Sequence, residues 1–216
     1  MKFKYRRYIL FSCMLMMFIG MVIMTVGKPK EDSVGVSAIS EEDENRAMTQ
    51  PLDKDKFPKI NDLVRNYHNA EVNNDLDALE LYVNDINNYS FEDLQKKFAY
   101  VEYFDNISCY TIEACDEDSY VLYVYREYKM TGIDTLIPSV VQNYVCKNES
   151  GQYVIYSGDV SDETNEFIKA TEKNPSVLEL VDLVNNKIEQ IKEEDEAVKV
   201  LIEQLDEAGT KNVSQE

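Results

Sequence analysis

The chain has 216 residues, with 22 basic and 41 acidic side chains, a formal net charge of −19 and a single histidine. Six of the basic residues and none of the acidic ones lie in the first thirty positions, so residues 31–216 carry 16 basic and 41 acidic side chains, a net charge near −25. Such a surface repels phosphate groups, which excludes nucleic acid as a partner. A single histidine excludes a histidine-based metal site or a hydrolase triad.

The N-terminal part contains nineteen consecutive residues without a charge, positions 8–26, flanked by basic residues on both sides. A helix of that length spans roughly 28 Å, the thickness of the hydrocarbon layer of a bilayer. The larger basic cluster precedes the segment, so residues 1–27 are predicted to be a cytoplasmic basic tip and a transmembrane anchor in the cell membrane, with the rest of the chain extracytoplasmic. A cleaved signal peptide is the alternative. Signal peptides, however, have an apolar core shorter than this segment, followed by small residues at the cleavage site.

Three helices are predicted after a linker. Residues 28–56 are rich in charged residues and serine, without apolar periodicity, which predicts a disordered linker. Apolar side chains then recur at three- and four-residue spacing from Ile60 to Ala70, which predicts one face of a helix. Asp75 and Ser90 are suitable N-cap residues for two shorter helices.

Aromatic and β-branched residues dominate the next part of the chain. Four such segments, 100–112, 119–130, 139–147 and 152–156, are separated by short polar turns. Short turns connect antiparallel neighbours, so the pattern predicts an α+β fold in which three helices pack on a curved antiparallel sheet of about four strands. Both faces of residues 119–125 are apolar, so this strand is expected to be covered on both sides.

The C-terminal part has apolar residues on an alternating four-three spacing from Val177 to Leu205, interrupted by Asp195. The stripe predicts a helical extension over residues 176–208, with Asp195 capping its second half and residues 209–216 as a tail. We expect residues 176–192 to pack on the domain's own sheet. A homodimeric coiled coil through the same stripe is the alternative, and residues 196–216 are compatible with either a docked or a free end.

Two segments carry a family resemblance. NDLVRNYHNAEVNNDLDALELYV (61–83) has a tyrosine and small residues before an Asn-Asp-Leu-Asp junction. GIDTLIPSVVQNYVCKNESGQYVIYSGDV (132–160) has a Gly-Ile-Asp-Thr turn, a strand-opening proline, a Tyr-Val-Cys core and a glycine hairpin. Through them the domain assigned to residues 57–175 resembles the nuclear transport factor 2-like superfamily, in its membrane-anchored Gram-positive surface type. The resemblance implies a cone-shaped α+β fold but no activity, since that fold serves isomerases, dehydratases, adaptors and assembly domains.

The candidate functional residues are a histidine and a set of tyrosines. Enzymes of that superfamily place Asp, His or Tyr groups inside the cone, which makes His68 the catalytic candidate. It lies at the border of the apolar helix face, where a structural, hydrogen-bonded histidine is the commoner outcome. Four tyrosines are candidates for lining an apolar ligand cavity: Tyr67, Tyr110, Tyr123 and Tyr144.

Other reactive groups give no recognisable motif. The exported cysteines, Cys109, Cys115 and Cys146, are odd in number, which favours free thiols over a disulfide framework. The acidic runs at 116–118 and 159–163 lack the spacing of a calcium loop, so no metal and no cofactor are expected.

The sequence therefore predicts a membrane-anchored, extracytoplasmic module of the cell envelope that binds a small ligand or a protein partner and does not catalyse. The alternative is an isomerase- or dehydratase-like enzyme that uses His68 with a buried carboxylate or tyrosine in the cone.

Overall fold

The computed structural model describes residues 39–203 and shows an α+β fold. The helices are α1 (Glu41–Thr49), α2 (Pro58–Asn73), α3 (Leu76–Leu79), α4 (Phe91–Phe98), α5 (Asp162–Thr171), α6 (Pro175–Glu194) and α7 (196–203), with a 3₁₀ turn at Ile86–Asn88. The strands are β1 (Asp53–Lys54), β2 (Val101–Glu113), β3 (Tyr120–Met130), β4 (Ile137–Lys147) and β5 (Tyr153–Ile155).

The predicted transmembrane segment, residues 8–26, lies outside the described residues. Within residues 39–203, no helix combines the length and the apolar character needed to cross a membrane.

The five strands form one antiparallel sheet in the order β1-β2-β3-β4-β5, so each strand pairs with its neighbours in sequence. The predicted antiparallel meander is confirmed for β2 to β5. The additional strand β1 has two residues and pairs with the end of β2 at Tyr110 and Thr111. The central strand β3 is therefore flanked by two long strands, β2 and β4.

The first core lies between one sheet face and the helices α2, α3 and α4. Helix α2 begins with Pro58 in its first turn and ends at Asn74, whose positive φ of 55° gives a left-handed C-cap. Its apolar side chains are buried against Leu122 and Val124 of β3. Asp75 and Ser90 accept hydrogen bonds from backbone N–H groups of α3 and α4, which confirms both predicted N-caps.

The opposite sheet face is covered by α1, α5 and α6. Val121 and Tyr123 of β3 pack there with Phe167 of α5 and with Val177 and Leu180 of α6, and these residues form the second core. Because successive strand residues point to opposite faces, β3 is buried on both sides, as its sequence predicts. A third cluster packs the end of the sheet where β3 leads into β4 against α6 and α7: Met130, Ile133, Ile137, Val198, Leu201 and Ile202.

The prediction of a disordered linker is wrong for residues 39–56. Ser40 caps α1 by accepting a hydrogen bond from the backbone N–H of Asp43, and Ala47 is completely buried against the second core. The side chain of Asn174 also donates hydrogen bonds to the carbonyl oxygens of Ala47 (3.0 Å) and Gln50 (2.7 Å). These contacts are tertiary, so no local periodicity signals them. Residues 28–38 of the predicted linker lie outside the described residues.

The C-terminal helices pack on the chain's own sheet. The apolar side of α6 is buried through Val177, Leu180 and Val184, which confirms the predicted docking of residues 176–192. Asp195 accepts hydrogen bonds from the backbone N–H groups of Ala197 and Val198, so it caps α7 as predicted. The apolar stripe is thus used within one chain.

Candidate functional site

The described residues contain one cluster of buried ionisable side chains, and α2 supplies most of it. Tyr67, His68 and Glu71 lie within one helical turn, on the side of α2 that faces the sheet. Arg126 of β3 projects to the same face as Leu122 and Val124, because alternate strand residues share a face. Lys97 of α4 reaches the cluster from its edge. We call Tyr67, His68, Glu71, Lys97 and Arg126 the Glu71 cluster.

Glu71 is the centre of this cluster and its only anion. Its Oε1 accepts hydrogen bonds from the hydroxyl of Tyr67 (2.9 Å) and the ammonium group of Lys97 (3.2 Å). Its Oε2 lies 2.9 Å from Nδ1 of His68 and 4.0 Å from Nη1 of Arg126. The guanidinium of Arg126 also lies 4.1 Å from the centre of the Phe104 ring, a cation–π distance.

His68 lies between a donor and an acceptor. Its Nδ1 is 2.9 Å from Oε2 of Glu71 and only 2.8 Å from Nη1 of Arg126. A ring nitrogen cannot donate a proton to the carboxylate and accept one from the guanidinium at once, so only one of these contacts is a hydrogen bond in each tautomer. Each neutral tautomer of His68 makes one of these two hydrogen bonds. A protonated ring would instead place a second positive charge 2.8 Å from the guanidinium of Arg126.

The pKa values follow from this geometry. Burial, reinforced by the charge of Arg126, lowers the pKa of His68 from 6.5 to about 4, against the opposing influence of Glu71. Burial alone would raise the pKa of Glu71, but the hydrogen bond with His68 and the charge of Lys97 outweigh it and lower that pKa to about 2. At neutral pH the cluster therefore holds an ionised Glu71, a neutral His68 and two cations.

The cluster has very little access to solvent. The side chains of His68 and Glu71 are each 2% exposed and that of Arg126 is 3% exposed. Only Lys97, at 36%, has appreciable exposure. A surface depression of about 460 Å³ lies elsewhere, on the outer side of α6 between Glu179 and Gln190. The polar groups of the cluster are therefore turned toward one another and not toward a substrate-sized space.

Stability should fall in acid because of this cluster. The unfolded chain binds a proton on His68 near pH 6.5 but the folded chain only near 4, so protonation favours unfolding as the pH drops through that range. Glu71 extends the loss from 4.5 to about 2. We expect the thermal unfolding midpoint of the protein to fall from pH 7 to pH 4.5, and the His68→Gln variant to show a shallower fall. Equal slopes for the two proteins would contradict this assignment.

The tyrosine candidates are not brought together in one cavity. Tyr67 belongs to the first core, where its hydroxyl donates to Glu71. Tyr110, Tyr123 and Tyr144 lie on the opposite sheet face, and the hydroxyl of Tyr123 is paired with that of Thr171 at 2.8 Å. Tyr123 is buried, whereas Tyr110 and Tyr144 are half-buried. The sheet thus separates Tyr67 from the other three.

The cysteines of the described region are free thiols, and burial raises the pKa of Cys109 to about 12, which makes it unreactive. Cys115 approaches two carboxylates, Asp43 and Glu163, with the ligand atoms within 4.8 Å of one another. The guanidinium of Arg46 already pairs with Asp43 at 2.8 Å, so the negative charge of Asp43 is balanced by a side chain of the protein.

Sequence reasoning found His68 but missed Glu71, Lys97 and Arg126. Two of them had a signal in the sequence. Arg126 continues the inward alternation of Leu122 and Val124, and Glu71 follows Tyr67 by four residues on the inward side of a helix. Charged residues at positions that the periodicity assigns to the core indicate a buried ion pair.

Comparison of the chain with protein-family models, with curated proteins and with solved structures gives no match. Fold and site therefore define the class directly: an α+β domain with helices on both faces of a five-stranded antiparallel sheet and a buried polar cluster around Glu71.

Proposed function

We propose that this protein is a non-catalytic binding or scaffolding module, anchored in the cell membrane with its folded domain on the extracytoplasmic side. The observation that carries the non-catalytic part is the burial of the only histidine. A general base must come within about 3 Å of the proton that it removes, and nearly all of the His68 side chain is shielded from solvent. The Glu71 cluster then acts as a structural ion network in the first core.

We also propose that the domain belongs to the nuclear transport factor 2-like type. The support is the order of the elements: α2, α3 and α4 precede the long antiparallel meander and pack together on one of its faces. The second face, covered by α1, α5 and α6, is additional to the three-helix pattern on which the resemblance rests, and so is α7 at the end of the sheet.

The chemical accessibility of His68 tests the non-catalytic proposal. Diethyl pyrocarbonate modifies neutral imidazole that reagent can reach, and this chain has only one histidine. With the intact chain carrying no histidine tag, we expect negligible modification of His68 in the folded state and rapid modification in denaturant. The His68→Gln variant gives the background from tyrosine and lysine. Rapid modification of folded protein would show an open site and would reject the proposal.

An isomerase- or dehydratase-like enzyme remains the second candidate, and a specific observation favours it. Nδ1 of His68 lies 2.9 Å from the buried carboxylate of Glu71, and the hydroxyl of Tyr67 donates to the same carboxylate. These are the groups that an acid–base mechanism would use, provided that the cone opens to admit a substrate. The accessibility experiment separates the two candidates, because catalysis requires that the substrate reach the ring.

The proposed location rests on the uncharged segment 8–26, its basic flanks and the acidic remainder of the chain. Protease added to intact cells or protoplasts should remove the folded domain while a cytoplasmic marker protein survives. Disrupted cells, in which every protein is accessible, provide the control for protease sensitivity. Complete protection in intact cells together with digestion in disrupted cells would contradict the extracytoplasmic orientation.

A further inference from the structure

One edge of the sheet is only partly paired. Strand β5 pairs with β4 over Val145–Lys147, and one more bond joins the N–H of Tyr156 to the carbonyl oxygen of Tyr144 at 2.8 Å. The preceding half of β4, from Ile137 to Asn143, pairs with β3 on its inner side. Within residues 39–203, no strand pairs with the outer side of that half.

The direction of the free backbone groups follows from the register. The carbonyl of Tyr144 points away from β3, and β4 pairs with β3 without a register shift. Alternate residues of a regular strand direct their N–H and C=O groups to the same side, so those of Val140 and Gln142 also point outward. Among residues 39–203, no hydrogen bond reaches these outward groups.

The opposite edge of the sheet is protected in ways that β4 is not. Apart from the two residues of β1, that edge is formed by β2, which has register shifts between Val101 and Tyr103 and between Asp105 and Ser108. By contrast, residues 137–146 of β4 run without a register shift against β3 and contain no charged side chain, in a chain with 41 acidic residues. Bulges, charges and prolines keep edge strands from pairing with other chains, and of these the open half of β4 has only Pro138, near its start.

We propose that β4 of one chain pairs with β4 of a second copy, so that the two sheets continue across a two-fold axis. Antiparallel pairing centred on Val141 places Val140 opposite Gln142 of the other copy, and each of these two pairs exchanges two main-chain hydrogen bonds. The lack of charged side chains along this edge is the reason for assigning a second copy of the chain as the pairing strand. Two strongly acidic chains can meet only where neither presents an acidic group, and a basic partner would find no complementary charge here.

This pairing deepens the scaffolding role and rests on the proposed anchor. The edge contact is short, and two copies tethered to one membrane meet at a raised effective concentration. The stripe of α6 cannot serve instead, because Val177, Leu180 and Val184 are already buried against the chain's own sheet.

Disulfide cross-linking of the full chain in membranes tests both the contact and its register. At the centre of the pairing, Val141 faces its counterpart at a Cα distance of about 4.5 Å, which suits a disulfide. In a Cys13→Ser background, Val141→Cys should give an oxidant-dependent dimer many-fold above the parent chain. Ser139→Cys is the matched control on the same strand face, because its counterpart would lie roughly 14 Å away. Sedimentation of the chain with the membranes reports the anchor separately.

A second substitution tests the backbone hydrogen bonds. Val140→Pro removes an outward N–H without touching the pairing with β3, and it should abolish the cross-link of Val141→Cys. If Val141→Cys lowers the thermal stability, mixed chains carrying Val140→Cys and Gln142→Cys replace it. Equal cross-linking of Ser139→Cys and Val141→Cys, or no dimer above the parent, would overturn the proposal. So would a dimer that forms only after removal of residues 204–216, since that segment would then occupy the edge.

Discussion

Replacing Glu71 with glutamine is expected to lower the free energy of unfolding by about 3–5 kcal/mol. The substitution keeps the shape of the side chain but removes the only anion of the Glu71 cluster. Arg126, 3% exposed, would then remain in the core beside Lys97 without an opposing charge. An uncompensated buried charge costs far more than the lost hydrogen bonds alone. Urea unfolding followed by circular dichroism measures the change.

The matched control is Asp62→Asn on the same helix. Asp62 pairs with Arg65 at 3.3 Å, but both side chains are more than half exposed, and such pairs contribute at most about 1 kcal/mol. The double variant Glu71→Gln/Arg126→Met should recover part of the loss, because it removes the stranded cation as well. A loss for Glu71→Gln as small as that for Asp62→Asn would mean that the Glu71 cluster does not hold the first core together.

The elements that could be predicted are those with a signal in their own residues. The apolar stripe of α2, the capping role of Ser90 at α4 and the alternation of β3 each determine a local structure with a defined buried side. The docking of α6 was predictable for a related reason: β3 has two apolar faces, so a second layer was required to cover it. The uncovered second face of β3 thus identified α6, the predicted apolar helix after the strands, as its partner.

What could not be predicted depends on contacts distant in sequence. Helix α1 is nine residues long and buries only Ala47 fully, so its own pattern is that of a polar linker. It is held by the side chain of Asn174, 127 positions away from Ala47, and by packing on Phe167. An isolated helix of this length is marginal in water, and its order is a property of the tertiary structure.

The candidate site, too, has one part that the sequence predicted and one part that depends on tertiary contacts. His68 was found because it is the single histidine, and its border position on α2 suggested a bonded, structural role. The convergence of Glu71 and Arg126 depends on how α2 crosses β3, which no local pattern specifies. The sequence did not assign individual tyrosines to faces of the sheet, and that is why Tyr67 was grouped with three residues that lie across the sheet from it.

Removing the C-terminal helices is expected to unfold the domain. A chain that ends at Asn174 lacks α6 and α7 and therefore exposes Val121, Tyr123 and Ile137 of the sheet. Each fully buried aliphatic or aromatic side chain contributes about 1.5–3 kcal/mol to stability. The burial energy lost from both sides of this contact, sheet and helices together, therefore exceeds the usual free energy of unfolding, about 5–15 kcal/mol. The truncated protein should show no cooperative thermal transition by circular dichroism.

Two leucines of α6 make a point test of the same claim. Leu180 is 6% exposed against the second core, whereas Leu183, three positions further on, is 47% exposed. Leu180→Ala should cost about 2–5 kcal/mol through lost burial and the cavity left behind, and Leu183→Ala no more than about 0.5 kcal/mol. The two variants delete the same atoms from the same helix, so differences in helix propensity cancel and only packing remains. Equal, small losses for both, with an unchanged melting curve for the truncated chain, would show that α6 is dispensable for folding and would leave its apolar stripe available to a second copy.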